Sequence, residues 1–260
     1  MLKIRIIPTL LHKGHGLVKG ERFDSWRGVG AAMQAIKVYA MREVDELIFV
    51  DIGATPEGRG PDFDLIDELA DECFMPLTVG GGVRSLDDVK RLLRVGADKV
   101  AIGSASIDER LVCGAADRFG AQCVIASIDV RRQGNLCEVF TCCGTRATGL
   151  DPLRHAEQLQ RWGAGEILLT AIDRDGMLNG YDIDLITKIS AAVDIPVIAA
   201  GGAGSYAHFA EGIRAGASAV AAGAMYHFTQ QTPAEAKLHL AELGFPMRLP
   251  THDRLGVCRR

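Results

Sequence analysis

The sequence predicts a single (β/α)8 TIM barrel, of α/β class, built from two homologous half-barrels, and three observations carry that prediction. Its 260 residues, 48% of them hydrophobic, suit one eight-stranded barrel and its core. Short β-branched runs alternate with amphipathic stretches, the pattern of parallel strands joined by crossover helices. The chain also repeats itself. Residues 75–105, MPLTVGGGVRSLDDVKRLLRVGADKVAIGSA, align without a gap on residues 195–225, IPVIAAGGAGSYAHFAEGIRAGASAVAAGAM, at an offset of 120.

The expected strands are 4–10, 46–52, 77–79, 99–102, 123–129, 166–171, 197–200 and 219–222. Between them, runs such as VGAAMQAIKVYAM, DLIDELADE and LDDVKRLLRVGA carry the i, i+3, i+4 apolar spacing of helices that cover a barrel. The offset of 120 also lays ELIFVDI on EILLTAI, so strands two to four correspond to strands six to eight. A doubly wound open sheet alternates strands and helices too, but nothing in it asks for this duplication. The expected organisation is one barrel over residues 1–248, with halves of about 1–121 and 122–248, and a polar tail over 249–260 for which disorder is the expectation.

A net charge of -4 with Lys and Arg scattered among acids gives no basic face, which argues against nucleic acid and anionic membranes as partners and for small soluble ones. The opening MLKIRIIPTLL is too short and too poorly flanked for a secretory signal or a spanning helix, so a cytoplasmic location is expected. Cysteines 73, 113, 123, 137, 142, 143 and 258 form no CxxC pair and no zinc-like spacing with histidine. Free thiols follow, with Cys142 and Cys143 read as loop bystanders against the alternative of a reactive pair, and no metal or cofactor expected.

Chemistry is expected at the C-terminal strand ends, where barrel enzymes keep their sites. Gly81 and Gly82 follow the third strand, and Gly201, Gly202 and Gly204 follow the seventh. Residues without side chains let backbone N–H groups approach an anion. Gly103 and Ser104 after the fourth strand, and Gly223 and Ala224 after the eighth, complete two equivalent phosphate sites, to which Ser85 or Ser205 adds a hydroxyl. One such loop would read as a tight turn; two in equivalent places read as a pair of anion sites for a substrate with a phosphate at each end. Between them Asp129, ending the fifth strand, is the first candidate acid or base, with Asp51 and Asp175 behind it because an Asp there also makes caps and turns. At the opposite end Arg5, Glu46, Lys99 and Glu166 begin their strands as a ring of alternating sign, unless they are an ordinary solvated rim.

The segments RIIP, LVKG, DELIFVDI, PLTVGGGVRS, GADKV, GAGEILLT, DRDGMLNGYD and PVIAAGGAGS, spread over about residues 3–248, resemble the cyclase subunit of imidazole glycerol phosphate synthase. The resemblance implies a synthase that takes ammonia from a glutaminase docked on the N-terminal barrel face and passes it through the barrel interior. It makes Arg5, Glu46, Lys99 and Glu166 the ammonia gate, Asp98 a glutaminase contact, and Lys19 part of a mobile loop over the substrate.

The family has two catalytic aspartates, ending strands one and five. Asp129 matches the second, while the first falls on Leu11, which transfers no proton. Gly103 stands where the family has Asn and Ala200 where it has Ser; His12 and His15 lie close by, but His12 should point to the other side of the strand from Leu11. The Leu-Leu pair and the ECFMP at 72–76 resemble a paralogous branch associated with acetamidino modification of sugars in surface polysaccharide assembly, alongside a glutaminase and a sugar-activating amidotransferase-like enzyme. The leading expectation from sequence is therefore ammonia delivery for sugar amidination on a phosphorylated substrate. The alternatives are a histidine-pathway cyclase relying on Asp129 alone, the sister isomerase of that pathway, and a non-catalytic scaffold that conducts ammonia and activates the glutaminase.

Overall fold

A computed structural model describes residues 3–134 and 136–249. Eight parallel strands close on themselves in the order β1 (Arg5–Lys13), β4 (Leu47–Asp51), β5 (Leu77–Gly80), β6 (Lys99–Ile102), β7 (Val124–Gln133), β10 (Glu166–Ala171), β11 (Val197–Ala200) and β12 (Ala219–Ala222), which pairs with β1. This is the predicted (β/α)8 barrel. The expected tail falls, apart from Leu249, outside the described residues.

Strand alternation sorts side chains into two cores. Inside lie Ile7, Ile48, Ala101, Ile125, Leu168, Ile198, Ala219 and Ala221. The other set packs against the helices, where α3 (Leu86–Arg94) buries Val89 and Leu92, and α7 (Tyr206–Arg214) buries Phe209 and Ile213. The repeat extends to helix starts: Asp62 and Asp182 cap α2 (Phe63–Asp71) and α6 (Ile183–Ala192), and Ser85 and Ser205 cap α3 and α7, each pair 120 apart.

The structure departs from the predicted elements at the first and fifth strands, which run on to Lys13 and Gln133. Each feeds an antiparallel extension that the sequence reading did not include: β2 (Gly16–Glu21) with β3 (Asp24–Gly30), and β8 (Leu136–Thr141) with β9 (Arg146–Ala147). β2 and β3 are interrupted by glycines and β8 and β9 are short, none shows clean period-two alternation, and partner strands rather than local pattern hold them. Lys19, expected in a mobile loop, lies on β2 and is 3% exposed.

Candidate active site

Parity along β1 decides what its end offers the barrel mouth. Leu11 lines the cavity there, while His12 is buried on the other side with its ring centroid 5.6 Å from that of Phe49. His12 is therefore no substitute for the missing carboxylate. Leu11 pairs with Val50 and Asp129 with Thr170, and Val50 and Thr170 are themselves 120 apart, so Leu11 and Asp129 hold equivalent half-barrel positions. One wall of the mouth is thus apolar (Leu11, Val50) where the other is polar (Asp129, Thr170).

Burial pushes the Asp129 carboxyl up, the neighbouring charge of Asp175 pushes further, and the Thr170 hydroxyl pulls weakly back, leaving it at about 7. A carboxyl titrating there has the proton affinity that a base or acid near neutral pH needs. The other two aspartates are engaged differently. Asp175 Oδ2 accepts from Lys19 Nζ at 2.5 Å, placing a buried ion pair in the cavity wall. Asp51 accepts from the Gly53 and Ala54 amides at 2.9 and 3.1 Å and from Arg59 at 3.1 Å, which makes it the anchor of its own loop. That is turn-forming work, although Asp51 also lines the same cavity as Asp129 and Asp175.

The glycine loops are true structural equivalents. Gly81 and Gly201 both have positive φ, 105° and 81°, and a Cβ on either would strike the backbone of Asp51 or Ala171, residues also 120 apart. Gly81, Gly82, Gly103, Ser104, Gly201, Gly223 and Lys19 line the cavity; Gly202, Gly204 and Ala224 are not among its lining residues. Several groups expected to hold an anion are already bonded. The Gly204 amide donates to His208 Nδ1 at 3.1 Å, the Gly82 amide to Thr55 Oγ1 at 3.3 Å, and Ser104 Oγ accepts from the Cys142 amide at 2.8 Å. Ser85 and Ser205 spend their hydroxyls as helix caps.

At the narrow end the four charged residues close a ring rather than a solvated rim. Arg5 reaches Glu46 at 2.8 Å and Glu166 at 2.7 Å, and Lys99 reaches the same two at 2.8 and 2.6 Å. Burial alone would raise the Glu166 carboxyl, but hydrogen bonds and charge from Arg5 and then Lys99 hold it below its ordinary value of 4.5. A depressed folded pKa gives stability that is present above 4.5 and lost as pH falls through the folded value. Glu166→Gln is therefore expected to flatten the acid limb of stability, read as melting temperature between about pH 7 and pH 3. If both proteins lose stability in parallel, the ring is not the titrating element.

Asp98, at the same end, is exposed and accepts from the Leu77 amide at 2.8 Å. Phe74, in the loop before β5, is 86% exposed. In the sequence Phe74 counts only as part of the ECFMP segment, where nothing marks it as exposed. Phe23, Trp26, Thr55 and Cys143 also line the mouth without having been singled out as site residues. Burial first and the Asp129 charge second push the Cys143 thiol up to about 11, so it is no nucleophile at neutral pH.

Duplicated glycine loops around a single tunable carboxyl, at the C-terminal ends of a closed barrel, define a half-barrel-duplicated (β/α)8 enzyme subunit. The family described as histidine biosynthesis protein matches residues 5–232. The imidazole glycerol phosphate synthase subunit HisF of Hyphomonas neptunium is 48% identical over 250 residues, covering 95% of this chain and 99% of that one. The chain belongs to the histidine biosynthesis protein family and is of the HisF type. None of the helices among the described residues is long and apolar enough to cross a membrane.

Proposed function

We propose that this chain is the ammonia-using synthase subunit of an imidazole glycerol phosphate synthase-type complex, and that Asp129 is its proton-transfer group. The observation that carries the reading is the Asp129 carboxyl at about 7 in a cavity flanked by both glycine loops. In this reading a substrate with two phosphates spans the mouth, and Asp129 takes a proton during ring closure and returns it to the departing carboxamide nucleotide. Lys19 neutralises phosphate charge and, through Asp175, holds β2 against the mouth. A glutaminase docks on the narrow end over Asp98 and Phe74. Ammonia enters past the Arg5–Glu46–Lys99–Glu166 ring, where buried Glu46 Oε2 has no hydrogen-bond partner among the described residues and serves as an acceptor on the way.

Sugar amidination, the leading expectation from sequence, finds no support in the similar proteins, whose match favours imidazole formation. One observation keeps it as the second reading: the apolar wall of Leu11 and Val50, where two-carboxylate chemistry would need an acid. In that reading a sugar-activating amidotransferase-like enzyme works alongside the complex.

The deciding experiment supplies ammonium salt and the carboxamide-nucleotide substrate to the purified chain and measures imidazole glycerol phosphate. Formation at a catalytic rate supports the cyclase. Leu11→Asp, which restores a second carboxyl at the equivalent position, is then expected to raise kcat by roughly 100- to 10,000-fold, the range of one acid–base group. No product from either protein removes the imidazole reading and leaves amidination, to be assayed with sugar acceptors.

A further inference from the structure

The two halves of the barrel differ in chemistry at one position that both glycine loops share. α3 and α7 each start shortly after such a loop, with Ser85 and Ser205 as their N-caps. At the third residue of each helix a side chain turns back to take the amide that precedes the cap. In the first half it is Asp88, whose Oδ2 accepts from the Arg84 and Ser85 amides, both at 3.0 Å, and from Ser85 Oγ at 2.9 Å. In the second half the equivalent residue is His208, whose Nδ1 accepts from the Gly204 amide at 3.1 Å. A ring nitrogen that accepts carries no proton, so the imidazole in that bond is uncharged. The geometry recurs and the charge does not.

The surroundings widen the difference. The first turn of α3 holds Asp87 as well as Asp88, whereas that of α7 holds no acid. Arg59, which sits against Gly82, is bonded to Asp51 and Glu57. Arg174, which sits against Gly202, donates instead to the carbonyls of Asn179 and Gly180 at 3.5 and 3.2 Å. Lys19 lies beside Gly223, but Asp175 pairs with it, so it does not unbalance the two sides by itself. The helix dipole puts partial positive charge at both N-termini. In the first half carboxylates of the chain itself meet that charge, and in the second it is left to a ligand.

We propose that the two phosphate sites are unequal, and that the contrast between Asp88 and His208 makes the second-half site, at Gly201, Gly202, Gly204 and Gly223, the primary anchor of the substrate. The inference deepens the proposed function and rests on its premise that phosphate binds at both glycine loops. His208 is a positioning residue: it fixes its loop through Gly204 without the negative charge that Asp88 brings to the other loop. A substrate with two phosphates then loads by one end. The first-half site takes the second phosphate with a weaker hold.

The test is calorimetric titration of the full chain with inorganic phosphate at about pH 8, where an ordinary imidazole is neutral. Two sites are expected, the tighter about tenfold above the weaker, since each of the two carboxylates near a helix start is worth roughly two- to fivefold. His208→Asp should weaken the tighter site alone, by roughly two- to fivefold. His208→Asn, the same shape without the charge and still able to accept from Gly204, should stay near wild type. Asp88→Asn should tighten the weaker site alone by a similar factor. Equal weakening by Asp and Asn at position 208 would show that loop geometry sets the affinity, and unchanged affinities in Asp88→Asn would count against charge from the other side; either result overturns the inference. Two wild-type sites of equal affinity overturn it as well, while the phosphate sites stand. If phosphate does not bind at millimolar concentration, the premise and the inference fall together.

Discussion

Asp129→Asn is expected to lower turnover at least 100-fold, the lower end of what one acid–base group contributes, while leaving the fold intact. Asparagine keeps the shape and a hydrogen-bonding oxygen opposite Thr170, but it neither accepts nor returns a proton at neutral pH. The wild-type rate should rise with pH through about 7, where this carboxyl titrates, and the variant's residual rate should lose that limb. A stability signature accompanies it. A carboxyl whose pKa rises from 3.8 to about 7 on folding keeps its proton longer folded than unfolded, so it costs stability as pH climbs through that window. Asp129→Asn should match wild type near pH 4 and exceed it at pH 8, by an upper bound of ~4 kcal/mol. A pure ammonia conduit would show the stability gain with no loss of output, and that result would remove Asp129 from the chemistry.

The second large effect lies away from the site. Lys237, on α9 (Pro233–Glu242), is 0% exposed and donates to Asp45 Oδ1 and to the Glu43 carbonyl, both at 2.7 Å. Asp45 Oδ2 accepts in turn from the Ile6 amide at 2.9 Å, so one ion pair ties α9 to the loop before β4 and to β1. Lys237→Met strands a buried carboxylate, and destabilisation of roughly 3–5 kcal/mol is expected in denaturant unfolding. Changing both partners, Lys237→Met with Asp45→Asn, should cost clearly less because no uncompensated charge remains. Equal losses in the single and double variants would mean that packing, not charge, governs the position.

What was legible in the sequence is what a repeat and an alternation can carry. Strand runs such as IFVDI and VIAA are apolar on both faces, and the glycine loops recur at the same interval, so the eight strands and the two loop sites could be placed. Leu11 was legible too, because period two fixed which way it and His12 point. The β2–β3 and β8–β9 extensions were not, since their residues show no two-fold pattern and owe their conformation to the neighbouring strand. Asp51 was ambiguous because a strand-end carboxylate reads alike as catalyst or turn-former, and its bonds to Arg59 and two loop amides are visible only in space. Lys237 left a signal that went unused: residues 233, 236, 237 and 240 form the buried stripe of α9, and a lysine on such a stripe needs a buried partner.

The ring at the narrow end has a consequence for how the two halves came to differ. Glu46 and Glu166 stand 120 apart, one from each half, but both cations come from the first. The position 120 after Lys99 holds Ala219, which pairs with Arg5 across the strands, and the counterpart of Arg5 by the Leu11–Asp129 equivalence is Cys123. Two identical copies of the first half would have crowded four cations around two carboxylates at the barrel axis, an excess of positive charge in a place with little water to screen it. The ring is balanced here because one half supplies both cations while each half supplies one carboxylate, so the two halves are complementary in charge rather than copies of one another.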